Sequence, residues 1–344
     1  MSKYFIAIPP YYEGTSFVEI INGLKKSVKS TNLDIKFIGC NKPLENNLYM
    51  DLLDDSNYID GQINLLREVK EIKNPNKILF IDFFNPGMDL IRYYHQQTDL
   101  KCKYGALLHG GTFLEDDLYS FDWLNKFEIA WSNLYDCIYV PSIFNKKILP
   151  QAIKDKAIVI PWGMDNFKKQ TSQNKKYDVI FPHRINSDKG IIDLIFIIKK
   201  LPEVNFVITI PQKISLLEKN KYYTSLSTLK NVEIIELNTG KNHLKILSQS
   251  KIILSCAKQE TFGYSIMKGV LSGCIPILPN GLCYPEFFDK KYLYLSKIDC
   301  IEKIKYFLMN YDSEIKNKAL EKNKISIKKF SFKTIIEDFF NKTN

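Results

Sequence analysis

Short runs of β-branched and aromatic residues alternate along the chain with longer segments whose apolar positions recur at helical spacing. The runs Tyr4–Ile8, Ile35–Ile38, Lys77–Phe83, Tyr104–Leu108, Cys137–Val140 and Ala157–Ile160 predict strands. Between them, Ser16–Val28, Gln62–Ile72, Met88–Gln96, Trp123–Leu134 and Ile143–Leu149 predict helices. The strand runs are continuously apolar, which predicts a parallel sheet covered on both faces. From Asn166 to Lys176 the periodicity stops in a polar, lysine-rich stretch that reads as a linker. The alternation then restarts, with strands predicted at Tyr177–Phe181, Phe206–Ile210, Glu233–Leu237, Ile252–Ser255, Ile275–Leu278 and Tyr292–Leu295. Helices are predicted at Gly190–Lys200, Ser215–Tyr223, Asn242–Ser248 and Tyr264–Leu271. The last segments, Ile301–Met309 and Phe332–Phe340, read as amphipathic helices. The pattern is that of two doubly wound α/β units in tandem, each of which binds ligands outside the carboxyl ends of its strands.

Composition narrows the picture without changing it. A chain of 344 residues, 45% hydrophobic and 25% charged, suits a soluble protein of two domains. The run Tyr4–Ile8 is too short for a signal sequence, and no later run reaches the length of a membrane span, so a cytoplasmic protein is expected. The seven cysteines are scattered and never spaced as Cys-x-x-Cys, which predicts reduced core thiols rather than disulfides or a zinc site. The formal net charge of +10 invites a nucleic-acid partner. It rests almost wholly on lysine, with Arg67, Arg92 and Arg184 the only arginines, in a chain also rich in Ile and Asn. A biased composition would give the same charge, so charge alone selects no partner.

The candidate chemistry lies at strand ends. In Ser255-Cys-Ala-Lys-Gln-Glu-Thr-Phe-Gly-Tyr264 a buried strand runs into a loop bearing Glu260, and Gly263 opens a helix. The first amides of that helix lack intrahelical partners and, with the helix dipole, favour a phosphate. Glu260 beside such a cradle suits sugar hydroxyls; the alternative is that it only satisfies the turn. Phe181-Pro-His-Arg-Ile-Asn-Ser-Asp-Lys-Gly190 ends another strand and offers Arg184 and Lys189. In the first half, Pro10-Tyr-Tyr-Glu-Gly-Thr-Ser16 and Leu107-Leu-His-Gly-Gly-Thr112 end two further strands, presenting Gly14, Thr15 and His109. No Gly-x-Gly-x-x-Gly turn follows the first strand, which argues against a dehydrogenase.

The Glu260 segment resembles the donor-binding motif of retaining GT-B glycosyltransferases of family 4, in which two glutamates flank a Phe-Gly turn. The resemblance implies two tandem Rossmann-like domains with an interdomain cleft. Residues 1–162 would form the acceptor side and 163–328 the nucleotide-sugar side, with a C-terminal helix at 329–344 packing back on the first domain. It implies that Glu260 contacts donor-sugar hydroxyls, that the Phe262 and Gly263 amides contact the diphosphate, and that Thr261 and Tyr264 are also donor-binding. Arg184 and Lys189 match the family's pair of phosphate-binding cations. Gly14 and Thr15 match its loop near the donor, and His109 its histidine near the transferred sugar. Lys268 stands where the second glutamate would hold the ribose hydroxyls; a lysine has donors only, so nucleotide recognition departs from the family there. The implied donor is a UDP- or GDP-hexose, with no permanently bound cofactor and no metal. Val140-Pro-Ser142 and Pro161-Trp-Gly163 match structural landmarks. The stretch from Phe181 to Gly190, with the ending Leu278-Pro-Asn-Gly-Leu-Cys-Tyr-Pro-Glu286, is similar to the tRNA-queuosine mannosyltransferase branch. That branch implies a modified base in tRNA or DNA as acceptor. A saccharide, lipid-linked glycan or small metabolite stays open, as does a relative that binds nucleotide or nucleic acid without transfer. The acceptor-binding residues and the oligomeric state are not legible.

Overall fold

A computed structural model describes residues 3–12, 15–44, 56–113, 121–164, 167, 170, 172, 174–210, 220–237 and 240–341. The chain divides into two compact units, Met1–Asn166 with Phe330–Asn344, and Phe167–Lys329.

The first unit runs β1 (Tyr4–Ile8), α1 (Ser16–Lys29), β2 (Ile35–Gly39), α2 (Ser56–Glu71), β3 (Lys77–Phe80), α3 (Met88–Gln97) and β4 (Lys103–Leu107). It continues with α4 (Asp122–Trp131), β5 (Cys137–Val140), α5 (Ile143–Ile148), α6 (Gln151–Lys154) and β6 (Ala157–Val159). All strand pairs are parallel, in the order β2-β1-β3-β4-β5-β6. Their side chains are buried on both faces; Ile6, Ala7, Ile78, Leu79, Ala106 and Ile138 are inaccessible to water. That is why these runs read as continuously apolar. The strand predicted over Lys77–Phe83 stops pairing early. Phe83 instead pins a loop, its carbonyl accepting from Tyr135 Oη at 2.8 Å and Trp131 Nε1 at 3.2 Å.

The second unit runs β7 (Tyr177–Phe181), α7 (Ile191–Lys199), β8 (Phe206–Ile210), α8 (Lys221–Ser227), β9 (Val232–Glu236), α9 (Gly240–Ser248), β10 (Ser250–Leu254) and α10 (Tyr264–Leu271). Then follow β11 (Ile275–Pro279), α11 (Tyr284–Phe287), β12 (Leu293–Tyr294), α12 (Lys297–Met309), α13 (Tyr311–Glu314) and α14 (Lys318–Lys328). Its sheet is parallel in the order β12-β11-β10-β7-β8-β9. Most of the predicted helix Ser215–Tyr223 lies outside the described residues, as do Asn166, Lys168, Lys169, Thr171 and Gln173 of the predicted linker. At the linker's far end, Lys175 is tied down by donating to the carbonyls of Ser248 (2.8 Å) and Ser250 (3.1 Å). Side-chain caps start several helices: Asn220 accepts the Tyr222 amide, Ser296 that of Asp299 and Asn317 that of Ala319.

The last helix, α15 (Phe332–Asn341), belongs to the first unit. It buries Phe332, Ile335, Ile336, Phe339 and Phe340 and carries Asp338, which accepts from Tyr139 Oη at 2.8 Å. All seven cysteines are free thiols. Among the described residues no helix is long and apolar enough to cross a membrane, and no His, Cys, Asp and Glu cluster is arranged to hold a metal.

Candidate functional site

In the second unit the chain runs outward from β7 through β8 to β9, and from β10 the other way to β11 and β12. The loops leaving the carboxyl ends of β7 and β10 therefore border the switch point at which open α/β sheets hold ligands. The two loops are clamped together. Gly190, at φ +69°, lies so near Cys256 that an added Cβ would stand 1.8 Å from its carbonyl oxygen. The Lys258 amide donates to the Asp188 carbonyl at 2.9 Å, and Lys189 Nζ to the Gln259 carbonyl at 2.7 Å.

Charges are strung along this clamp. Arg184 Nη2 donates to Asp188 Oδ2 at 2.8 Å. Lys189 Nζ stands 3.7 Å from the same oxygen and 3.6 Å from Glu260 Oε2. Asp188 is fully buried, whereas the Arg184 side chain is 27% exposed. The buried carboxylate thus aims two cations at the crevice in fixed positions, which is how a site stabilises an incoming or developing anion without reorganising. The structure brings Arg184, Lys189 and Glu260 into one cluster. It places the Gly263 amide differently from the sequence reading: that N–H donates to Glu260 Oε1 at 3.1 Å, so Glu260 already occupies one donor expected to face a phosphate.

The surroundings are polar, buried and connected. Beside Glu260, Thr261 and Phe262 are buried, and the Phe262 ring meets Tyr264 edge-on at 4.9 Å and Phe287 at 5.7 Å. His183 Nε2 lies 3.2 Å from Ser255 Oγ, which contacts Tyr284 Oη at 2.8 Å and accepts the Ala257 amide at 3.2 Å. Burial, and then the Lys189 ammonium, hold His183 well below the usual imidazole range. Lys268, on α10, lies near His243 of α9. Burial and then Lys268 push that imidazole down to about 3, and its Nε2 is buried without a hydrogen-bond partner.

The first unit has a switch point of its own, between β1 and β3. Thr15 precedes α1 and donates through Oγ1 to the Tyr12 carbonyl at 2.7 Å; Gly14 lies outside the described residues. His109 follows β4, its ring 4.8 Å from Phe17 and 5.5 Å from Trp162. Its Nε2 is 2.7 Å from the Ile81 carbonyl, which only accepts, so the proton sits on Nε2. Burial pushes His109 down to about 4, leaving it neutral near pH 7.

No protein-family model matches the chain. Over 126 residues, 34% of this chain, it is 31% identical to the tRNA-queuosine alpha-mannosyltransferase of Drosophila melanogaster. The match spans 32% of that protein, so the chain covers about a third of the curated relative's length. Among solved structures it is similar to a glycosyltransferase from Rickettsia africae, with a TM-score of 0.68, 16% identity and coverage of 100% of both chains. It is also similar to the catalytic domain of Starch Synthase IV from Arabidopsis thaliana, solved with ADP and acarbose, at a TM-score of 0.64, 10% identity and 99% of each chain. The chain has the GT-B fold.

Within this GT-B chain, several residues that shape the crevices escaped the sequence reading. Asp188 anchors both cations, yet in sequence it is one acidic residue at a helix start. His243 is paired with Lys268 only by the packing of α9 on α10. Asp82 hides in an apolar run that reads as strand, yet it lies in the turn after β3, where the Phe84 amide donates to its Oδ1 at 3.4 Å. Its only local signal is a charge interrupting that run.

Proposed function

We propose that this GT-B chain is a glycosyltransferase, binding a nucleotide sugar on the second unit and presenting an acceptor hydroxyl from the first. The observation that carries the reading is the convergence of Arg184, Lys189 and Glu260 on the clamped loops after β7 and β10. Arg184 and Lys189 neutralise the leaving diphosphate, and Glu260 positions the hydroxyls of the sugar, exchanging its hold on the Gly263 amide as the donor enters. Thr261, Phe262 and Tyr264 shape the wall of this subsite. Lys268 and His243 take the place of a carboxylate at the nucleoside. Thr15 with Gly14 approaches the donor, and His109 attends the transferred sugar as a neutral imidazole. Transfer with retention of anomeric configuration follows from the family 4 resemblance, and a UDP- or GDP-hexose is the donor class. The similarity to the tRNA-queuosine enzyme favours a modified base in tRNA or DNA as acceptor over a saccharide.

The test is a panel of UDP- and GDP-hexoses, read by thermal stabilisation and by nucleoside diphosphate release. Arg184→Ala should abolish the stabilisation, and Glu260→Gln should slow release by about 10²-fold or more. Unchanged turnover in both variants would remove these residues from the mechanism. Lys268 in the place of a glutamate favours a second reading, nucleotide binding without transfer. Stabilisation by the panel with no product after long incubation with tRNA would select it.

A further inference from the structure

At the switch point of the second sheet a chain of hydrogen bonds fixes where one imidazole keeps its proton. His183 stands just past the end of β7 and Ser255 just past the end of β10, two strands that pair directly. The His183 ring is 7% exposed and meets Phe181 edge-on at 5.0 Å, which holds its plane. Its Nε2 lies 3.2 Å from Ser255 Oγ, closing the gap between the two strand ends. Behind Ser255 stands Tyr284 of α11, fully buried, its Oη 2.8 Å from the same Oγ. Tyr284 also backs the turn before α10: a Cβ on Gly263 would lie 3.4 Å from its ring.

Hydroxyl valence places the protons. A buried phenol gives its one hydrogen to an acceptor, and among the described residues Tyr284 Oη meets Ser255 Oγ and no other. The Ala257 amide donates to the same oxygen at 3.2 Å. A serine hydroxyl accepts two bonds and donates one. With Tyr284 and Ala257 filling both acceptor positions, the serine hydrogen goes to His183 Nε2, which must then be unprotonated. Such a ring is neutral and carries its hydrogen on Nδ1. Burial, and then the Lys189 ammonium, favour the same neutral ring. Among the described residues nothing else bonds to this imidazole, and Nδ1 is not one of the sealed polar atoms, so a solute can reach it. His109 is set the other way, with its proton on Nε2.

Arg184 is the next residue along from His183, and the loop that Ser255 opens runs to Gln259 and Glu260, where Lys189 is held. We propose that His183 is a third anion-binding group of this crevice, presenting Nδ1–H to the phosphate oxygens that Arg184 and Lys189 neutralise, with Ser255 and Tyr284 as the positioning residues that hold it in that tautomer. The identity of the anion rests on the donor reading; the tautomer does not. Two cations supply charge, and a fixed N–H supplies direction without reorganising when the anion arrives.

The test labels the four histidines of the full chain with nitrogen-15 and reads their tautomers from long-range proton–nitrogen correlations at neutral pH. The His183 signals, identified by their loss in His183→Asn, should show Nδ1–H, whereas His109 shows Nε2–H. UDP, GDP or inorganic pyrophosphate should then shift the His183 Nδ1 signal. A proton on Nε2 of His183 overturns the proposal, as does an Nδ1 signal unmoved by a nucleotide that binds. By calorimetry, His183→Leu should bind UDP or GDP about tenfold more weakly, the scale of one hydrogen bond to a charged group. His183→Asn, whose short amide can donate from near the place of Nδ1, should recover most of that loss; a loss as deep in both variants means a structural role and overturns the proposal. Equal affinity in His183→Leu and the parent, with binding lost in Arg184→Ala, rejects His183 alone and leaves the donor reading standing. A parent that binds none of the three anions rejects the donor reading and this inference with it. Should His183→Leu not fold, the Nδ1 shift in the unaltered chain decides.

Discussion

Gly190 holds the loops after β7 and β10 together, because any side chain there must occupy the space of the Cys256 carbonyl oxygen, with a positive φ strained for any residue but glycine. Gly190→Ala should therefore cost about 3 kcal/mol or more in equilibrium unfolding, far above an ordinary surface change. It should also weaken nucleotide stabilisation by parting Lys189 from Gln259. A melting temperature within about two degrees of the parent would mean the loops are not clamped. Asp82 makes a second residue-scale prediction, with its own sign. Its folded-state value of about 7 lies above that of an unfolded aspartate, so the folded chain holds this proton more tightly. That stability is present below pH of about 4 and is lost as pH rises through about 7. The groups facing it are Glu128 of α4, Tyr58 of α2, Tyr135 and the Phe83 and Phe84 amides; the tyrosines do not titrate in this window. Asp82→Asn should gain stability relative to the parent between pH 5 and pH 8, by roughly 2 to 4 kcal/mol at most. A difference flat with pH in paired denaturant melts would contradict the buried carboxyl. Arg184, Lys189 and Glu260 were legible because each lies in a short stretch where strand, turn and helix follow one another. Asp82 and Asp188 were not, since nothing within a few residues of either tells which neighbour it will face.

At the scale of elements, the boundaries that shifted have local causes. The apolar run at Lys77–Phe83 was read as strand throughout, but only the part reaching Phe80 finds a partner in β1 and β4; Phe83 keeps its hydrophobicity by anchoring a loop. The helix α14 was missed because Lys318–Lys328 is dominated by lysine and polar residues, burying only Leu320, Asn323 and Ile327. By contrast α15 was plain, its apolar face being wide enough to bury two isoleucines and three phenylalanines. Its packing is one of close fit: a Cβ on Gly105 of β4 would lie 2.7 Å from the Phe339 ring, and Lys77 Nζ donates to the Phe339 carbonyl at 2.7 Å. Each of those large side chains contributes about 1.5 to 3 kcal/mol on burial, which together rivals the whole stability of a domain. Ending the chain at Lys329 should thus leave the first unit unfolded or insoluble, observed as loss of its cooperative melting transition. A truncated protein that melts as the parent does would show α15 to be an appendage.

For the molecule as a whole, the lysine-borne charge of +10 bears on the acceptor. If the acceptor base belongs to a polynucleotide, several phosphates are contacted and binding weakens steeply with salt. Affinity for tRNA should fall at least tenfold between about 50 and 200 mM salt, measured by filter binding. A flat response would remove the polynucleotide and favour a saccharide, lipid-linked glycan or small metabolite. The hydrophobic pattern by itself determined the class of the fold: continuously apolar strands separated by amphipathic helices have few other ways to bury both faces of a sheet. It also located the clamped loops after β7 and β10, since a strand end, a glycine and a helix start are neighbours in sequence. Only the tertiary structure decided which loops share a crevice, because that depends on strand order, and β7 meets β10, as β1 meets β3, across long stretches of intervening chain. It likewise decided which polar groups lost their water, making Asp188 an anchor for two cations and Asp82 a carboxyl that holds its proton near neutrality.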